Sequence, residues 1–306
     1  MDFARSISST NRRAMRASPS RSASCCPSFS AATARAMLPL PRNVPALRKI
    51  RAYASPFCAA SMTTVADNET LDAILGGQVS VIQPRRGYRF SIDAVLLGRF
   101  VQARRADRVL ELGAGSGVIS LIVSRLAPPR EIVAIDIQPE MAKLAARNAV
   151  LNRVEKFRSI CADLRDRHID GAAVQSFDLV LANPPYRASG AGRESPVEGR
   201  RVARGESGAT LKDFVAAARR YLRDGGRAAF VFWAPRSAEL IGLLRTHALE
   251  PKRIRFVHPR IDEPASSVLV EARAGGGIDV RIEPPLVLYT RKGIYTDGAR
   301  EMLAGR

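Results

Sequence analysis

The stretch Phe177-Asp178-Leu179-Val180-Leu181-Ala182-Asn183-Pro184-Pro185-Tyr186 has residue types suited to chemistry on a planar nitrogen. Five of its first six residues are apolar, which reads as a buried strand broken only by Asp178. Two consecutive prolines then remove two backbone donors and fix two φ angles, so no central strand continues through them. An amide and an aromatic ring are left at the carboxyl end of a strand, the edge at which open α/β sheets bind ligands. An exocyclic amine has its lone pair delocalised into its ring. Acceptors on its two N–H groups, the Asn183 side-chain oxygen and the Pro184 carbonyl, would localise that lone pair toward an electrophile. Tyr186 would stack on the planar substrate, a contact worth ~1–3 kcal/mol for a base. A base in structured nucleic acid must be flipped out, or already unstacked, to reach such a corner.

A second constellation precedes it. Arg108-Val109-Leu110-Glu111-Leu112 reads as a strand, Gly113-Ala114-Gly115-Ser116-Gly117 as a tight glycine loop, and Val118 to Val123 as the start of a helix. The next strand, Glu131 to Asp136, ends in a carboxylate about 20 residues beyond the loop, the spacing at which a βαβ unit sets an acid against ribose hydroxyls. Asp136 could equally cap the helix over 138–150, on which Met141, Leu144, Ala145, Asn148 and Leu151 share one face. A third strand, 159–164, brings Asp163 to the same edge, where it could meet the base of a nucleoside cofactor. Cys161 within it reads as a small core residue. A nicotinamide enzyme would share the loop and the ribose acid. However, ELGAGSG lacks the final glycine of GxGxxG, and hydride transfer has no need of Asn-Pro-Pro-Tyr.

The elements that position these groups alternate β and α, which implies a doubly wound, mostly parallel sheet. Before the glycine loop, 79–83 alternates as a short strand, 85–88 reads as a turn, and 91–100 as a helix. Its N-cap is Ser91, and Ile92, Val95, Leu96 and Phe100 share one face. After Tyr186 a long polar loop runs to Leu211, with Arg187, Arg193, Arg200, Arg201 and Arg204 against three glutamates. Such a loop beside a catalytic corner reads as a substrate gate. Helix 209–223 is expected to stop at Asp224-Gly225-Gly226. Strand 227–232 follows, with Trp233 assigned to packing, then helix 236–247 and strands 253–257 and 267–272. The tail, 285–296, reads as a hairpin or an extended cover.

The net charge of +19 favours an anionic partner, nucleic acid first. Residues 1–61 hold ten Lys/Arg against Asp2 alone, so the remainder carries +10. This Ser/Ala/Arg-rich leader lacks periodicity and is expected to be disordered. A mis-called start upstream of Met62 is the favoured reading, with an organelle transit peptide as the alternative. A single body cysteine, Cys161, implies a reducing compartment. The three histidines are scattered, so no metal site is expected, and no apolar run approaches the ~18–20 residues of a membrane span.

With these residues in view, the body resembles class I S-adenosylmethionine-dependent methyltransferases, in VLELGAGSG and NPPY. More narrowly, Gly87 to Met302 is similar to the bacterial family that methylates adenine N6 in the anticodon loop of a valine tRNA. YRFSIDAVLLGRF, NPPYRASGAGRESPVEGRRVARGE, RFVHPRIDEPASSVLVEA and PPLVLYTRKGIYTDGAREM carry that likeness. The resemblance implies a seven-stranded Rossmann-like sheet with its last strand antiparallel, and S-adenosyl-L-methionine as cofactor. It further implies tRNA or other structured RNA as partner, a monomer, no metal and no membrane. The site it implies has Asn183, Pro184 and Tyr186 as catalytic groups. Glu111, Gly113, Gly115, Gly117, Asp136, Asp163 and Asn183 would hold the cofactor, and Pro185, Tyr186, Arg187, Arg204 and Asp93 the substrate. The chain divides into the leader 1–61, a cap 62–106, the methyltransferase core 107–274 and a C-terminal extension 275–306. The location expected is cytoplasmic, or mitochondrial or plastid if the leader is a transit peptide. Gly205 stands where the family pattern leads one to expect histidine. Protein glutamine N5-methylation uses the same corner and is the rival chemistry. A non-catalytic cofactor- or RNA-binding module is the rival outside enzymes.

Overall fold

The computed structural model describes residues 64–87, 89–186 and 208–304. The leader, Tyr88, most of the basic loop with Arg187, Arg204 and Gly205, and the last two residues lie outside them.

The chain opens with an antiparallel hairpin, β1 (Glu69–Ile74) and β2 (Val79–Pro84), of which only β2 was expected. Helix α1 (Ile92–Phe100) starts where Ser91 adopts extended backbone, as read from the sequence. Its hydroxyl does not cap the helix, and donates to Asp93 at 3.3 Å instead. The βα alternation then runs β3 (Arg108–Leu112), α2 (Val118–Leu126), β4 (Glu131–Asp136), α3 (Pro139–Leu151), β5 (Phe157–Cys161) and β6 (Phe177–Ala182). Strand β5 sits earlier than expected because Phe157 to Cys161 are the residues in register with β4. Cys161 is only half-buried, and so is not the core residue expected.

The second half comprises α4 (Leu211–Tyr221), β7 (Leu222–Trp233), α5 (Ser237–Thr246), β8 (Leu249–His258) and β9 (Ser267–Ala274). Helix α4 begins with a reciprocal capping box: the Thr210 hydroxyl accepts from the Asp213 N–H, and the Asp213 carboxylate accepts from the Thr210 N–H at 2.8 Å. Asp224-Gly225-Gly226 does not terminate α4. It lies inside β7, where the register against β6 shifts, as in a bulge. Gly225 has φ +71°, and a Cβ on Gly226 would lie 3.1 Å from the Phe177 carbonyl oxygen. A bulge and a helix stop call on the same glycine freedom, and the local sequence does not separate them.

Among the described residues the seven principal strands form one sheet in the order β5-β4-β3-β6-β7-β9-β8, with β9 antiparallel to both neighbours. The expected doubly wound sheet with an antiparallel last strand is therefore present. The tail adds two two-residue strands, β10 (Arg281–Ile282) and β11 (Leu286–Val287), both parallel to β8. It ends in helix α6 (Asp297–Ala304), which the sequence reading did not foresee.

Alternation along the strands feeds two cores. Leu110, Leu112, Val180 and Ala182 pack with Phe214 and Tyr221 of α4 and Leu240 of α5. Val109, Leu179 and Leu181 pack on the other face with Leu96 of α1 and Ile119 and Ile122 of α2. Glu111 shares the parity of Val109 and faces α2 for that reason. No helix among the described residues is long and apolar enough to cross a membrane, and none of their His, Cys, Asp and Glu side chains cluster as a metal site.

Candidate active site

The glycine loop turns directly off β3. Gly113, Gly115 and Gly117 have φ of 64°, 55° and 80°, all left-handed. A Cβ on Gly113 would approach the Phe214 ring to 3.0 Å. A Cβ on Gly117 would meet the Ala145 Cβ at 3.2 Å, so a glycine here lets α2 pack closely against α3. The loop is pinned from behind by Asp136, whose two oxygens accept from the N–H of Gly115 at 2.8 Å and of Gln138 at 2.9 Å. Asp136 thus holds the loop and steadies the entry to α3 with one carboxylate. It is 7% exposed.

Glu111 is 1% exposed. Its Oε2 accepts from the Ser120 backbone N–H at 3.0 Å and from the Ser120 hydroxyl. Burial pushes its carboxyl up to about 7, opposed by the Ser120 hydrogen bonds. Asp163 is placed differently. It lies two residues past β5, and Arg165 grips it through Nε, both bonds at 3.0 Å, and through a terminal guanidinium nitrogen at 2.6 Å. That grip holds the Asp163 carboxyl below its ordinary range. Asp93, expected at the substrate, accepts from the Ser267 hydroxyl at 2.8 Å, tying α1 to the start of β9.

Strand β6 delivers the Asn-Pro-Pro-Tyr corner beside the loop. A small cavity is lined jointly by Phe90, Glu111, Gly113, Ser116 and Asn183, so the fold brings the strand acid, the loop and the corner amide together. Asn183 is half-buried, Pro184 buried and Pro185 exposed. Neither the Asn183 amide nor the Pro184 carbonyl hydrogen-bonds to any described residue, so two acceptors stand unengaged. Tyr186 meets the Phe232 ring edge-on, with centroids 5.6 Å apart and planes at 85°. Its carbonyl accepts from Arg236 at 3.0 Å. The Arg236 guanidinium also lies 5.2 Å from the Phe232 centroid and pairs with Glu239. The corner is therefore clamped from below.

Two contributors escaped the sequence reading. Asn148, read only as part of an amphipathic face, is fully buried. Its Oδ1 accepts from the Ile82 N–H at 2.7 Å, and its Nδ2 donates to the carbonyls of Ile82 and Ser116 at 3.0 and 2.9 Å. It bolts the hairpin to the glycine loop. Trp233, assigned to packing, is 44% exposed at the carboxyl end of β7. It lies one strand over from the corner and offers an indole face.

A sheet in this order, with a left-handed glycine loop after β3 and a rigid Asn-Pro-Pro-Tyr turn after β6, is the arrangement of a class I α/β methyltransferase. The chain belongs to the methyltransferase small domain family, whose model matches residues 91–247. It is 27% identical over 221 residues to the tRNA1(Val) (adenine(37)-N6)-methyltransferase of Aeromonas hydrophila, covering 72% of this chain and 90% of that one. It is 25% identical over 230 residues to the protein of the same name from Pedobacter heparinus, covering 74% and 94%. The crystal structure of a predicted O-methyltransferase from Agrobacterium tumefaciens superposes with a TM-score of 0.57 at 24% identity, over 70% of this chain and 96% of that one, a likeness of fold.

S-adenosyl-L-methionine is the methyl donor of this class, and the residues here fit it. Three left-handed glycines turn the loop tightly beside the cavity, and two buried acids, Glu111 and Asp136, stand behind it.

Proposed function

We propose that the protein transfers a methyl group from S-adenosyl-L-methionine to the exocyclic N6 of an adenine in tRNA, position 37 of a valine tRNA being the target its relatives' names point to. The observation that carries this reading is the pair of unengaged acceptors, the Asn183 amide oxygen and the Pro184 carbonyl, beside the glycine-loop cavity. Glu111 and Asp136, with the loop, are the groups proposed to hold the cofactor. Asp163 is proposed to act there with its carboxylate already oriented by Arg165.

Bound S-adenosylmethionine supplies an electrophilic methyl group. The chain's own residues orient the nucleophile. Asn183 and Pro184 accept hydrogen bonds from the two N6–H groups and turn the nitrogen lone pair out of conjugation, toward the methyl. Tyr186, fixed by Phe232 and Arg236, stacks on the base, and exposed Pro185 and Trp233 border it. Once N6 has been alkylated its surplus proton leaves to water, so no general base is needed. Arg187 and Arg204 are proposed to meet the RNA backbone from the loop beyond the corner. The location proposed is the cytoplasm.

The test is incubation with labelled cofactor and unmodified tRNA or total protein, followed by nucleoside and amino-acid analysis. Label in N6-methyladenosine is expected. Label in methylglutamine would overturn the substrate assignment.

A further inference from the structure

The edge of the sheet opposite the catalytic corner carries an uncompensated positive patch. Strands β3, β4 and β5 begin there, at Arg108, Glu131 and Phe157. The connections that feed them are stitched together: Asp107 accepts from the Arg104 N–H through its carboxylate and from the Arg130 N–H through its carbonyl, both at 2.9 Å. The Lys156 carbonyl accepts from the Ile132 N–H. These links gather Arg104, Arg105, Arg130 and Lys156 on one exposed edge, with Arg125 at the end of α2 beside them.

Many surface cations elsewhere are paired with acids, as in Arg89–Asp72, Arg147–Glu69 and Arg165–Asp163. At this edge the acids are already committed. Asp107 is held by Arg227 at 2.7 Å, and Glu131 by Arg108 and Arg158 at 2.9 and 2.6 Å. Asp178 is held by Arg223. The side chains of Arg104, Arg105, Arg125, Arg130 and Lys156 form no ion pair with any described residue, and the one uncommitted acid among them is Glu155. Arg125, Arg153 and Lys156 also line a cavity of about 400 Å³ between the end of α2, the start of β2 and the turn after α3. Its wall is braced by Asn152, whose amide exchanges hydrogen bonds with both backbone groups of Ser80 at 2.9 and 2.7 Å.

We propose that this edge is a second contact for the sugar-phosphate backbone of the RNA substrate. The inference rests on the RNA reading above. Asn183 follows a strand paired with β3, so about five residues at ~3.3 Å each, roughly 17 Å, separate the patch from the corner. The patch cannot touch the reacting base, but a structured RNA spans that distance. Phosphate contacts of this kind position a substrate without reading its sequence, and bound counterions leave as they form.

The test compares the wild type with a neutralised variant (Arg125→Gln, Arg130→Gln and Lys156→Gln) and a charge-retaining one (Arg125→Lys, Arg130→Lys and Lys156→Arg), measuring affinity for full-length tRNA across a salt series. The neutralised protein is expected to bind about tenfold more weakly, with the slope of log affinity against log salt reduced by about two. Cofactor affinity and kcat at saturating RNA should stay unchanged, and the charge-retaining variant should keep the wild-type slope. Wild-type affinity and slope in the neutralised protein would overturn the second contact while leaving the RNA reading intact. So would a parallel loss of cofactor affinity, which would mean that the variant acts through the fold. A wild type that neither binds nor methylates RNA would instead overturn both.

Discussion

Asn148 and Ser116 lie 32 residues apart and are joined by one buried hydrogen bond of 2.9 Å, from the Asn148 amide to the Ser116 carbonyl. The same amide clasps both backbone groups of Ile82. Asn148→Ala would leave two carbonyls and one N–H buried without partners, at ~1–3 kcal/mol for each group that water cannot reach. The expected result is a stability loss of about 3 kcal/mol by urea denaturation, with cofactor affinity falling more than RNA affinity. Asn148→Asp should be worse than alanine, because it sets a carboxylate against two carbonyl oxygens.

Glu111 makes stability depend on pH. Its carboxyl is raised from 4.5 to about 7, so between those values the folded state holds a proton that the unfolded chain has released. Its contribution is fully present below 4.5 and is lost as pH rises through 7. At about 1.4 kcal/mol per unit the difference is on the order of 3 kcal/mol. Thermal or urea unfolding from pH 4.5 to 8 should show this decline. Glu111→Gln, which keeps an acceptor for Ser120, should flatten it.

Arg236 touches the corner only through the Tyr186 carbonyl and the Phe232 ring. Arg236→Met keeps most of the stem and loses both contacts. A shift of the corner by about an ångström costs on the order of a hundredfold in rate. The variant is expected to lose ten- to a hundredfold in kcat with cofactor affinity within about twofold, measured by steady-state kinetics and calorimetric titration.

The parts legible in sequence are those with strong local signatures. A stretch with five apolar residues in six, followed by Asn183 and two prolines, admits one reading, and three glycines between a strand and a helix admit few. The parts that were missed depend on what stands opposite. Helical periodicity put Asn148 on the inner face, but nothing local showed that a polar residue there meets Ile82 and Ser116. Trp233 is a residue type common in cores, and its exposure follows from being the last residue of β7. The Asp163 carboxylate reads as a ligand by its position, yet Arg165 two residues away already holds it. Helix α6 has one buried residue, Ala299, so its apolar pattern was too weak to stand out.

The role proposed for the Asn183 amide is to orient the amine, with little part in folding or in holding the cofactor. Single-turnover methyl transfer to tRNA by Asn183→Ala, with cofactor affinity measured on the same sample, tests this most directly. The expected result is a loss of at least about a hundredfold in rate, the scale of removing one preorganised group at a reacting centre, with cofactor affinity within a few-fold of wild type. Transfer within about threefold of the wild-type rate would contradict it.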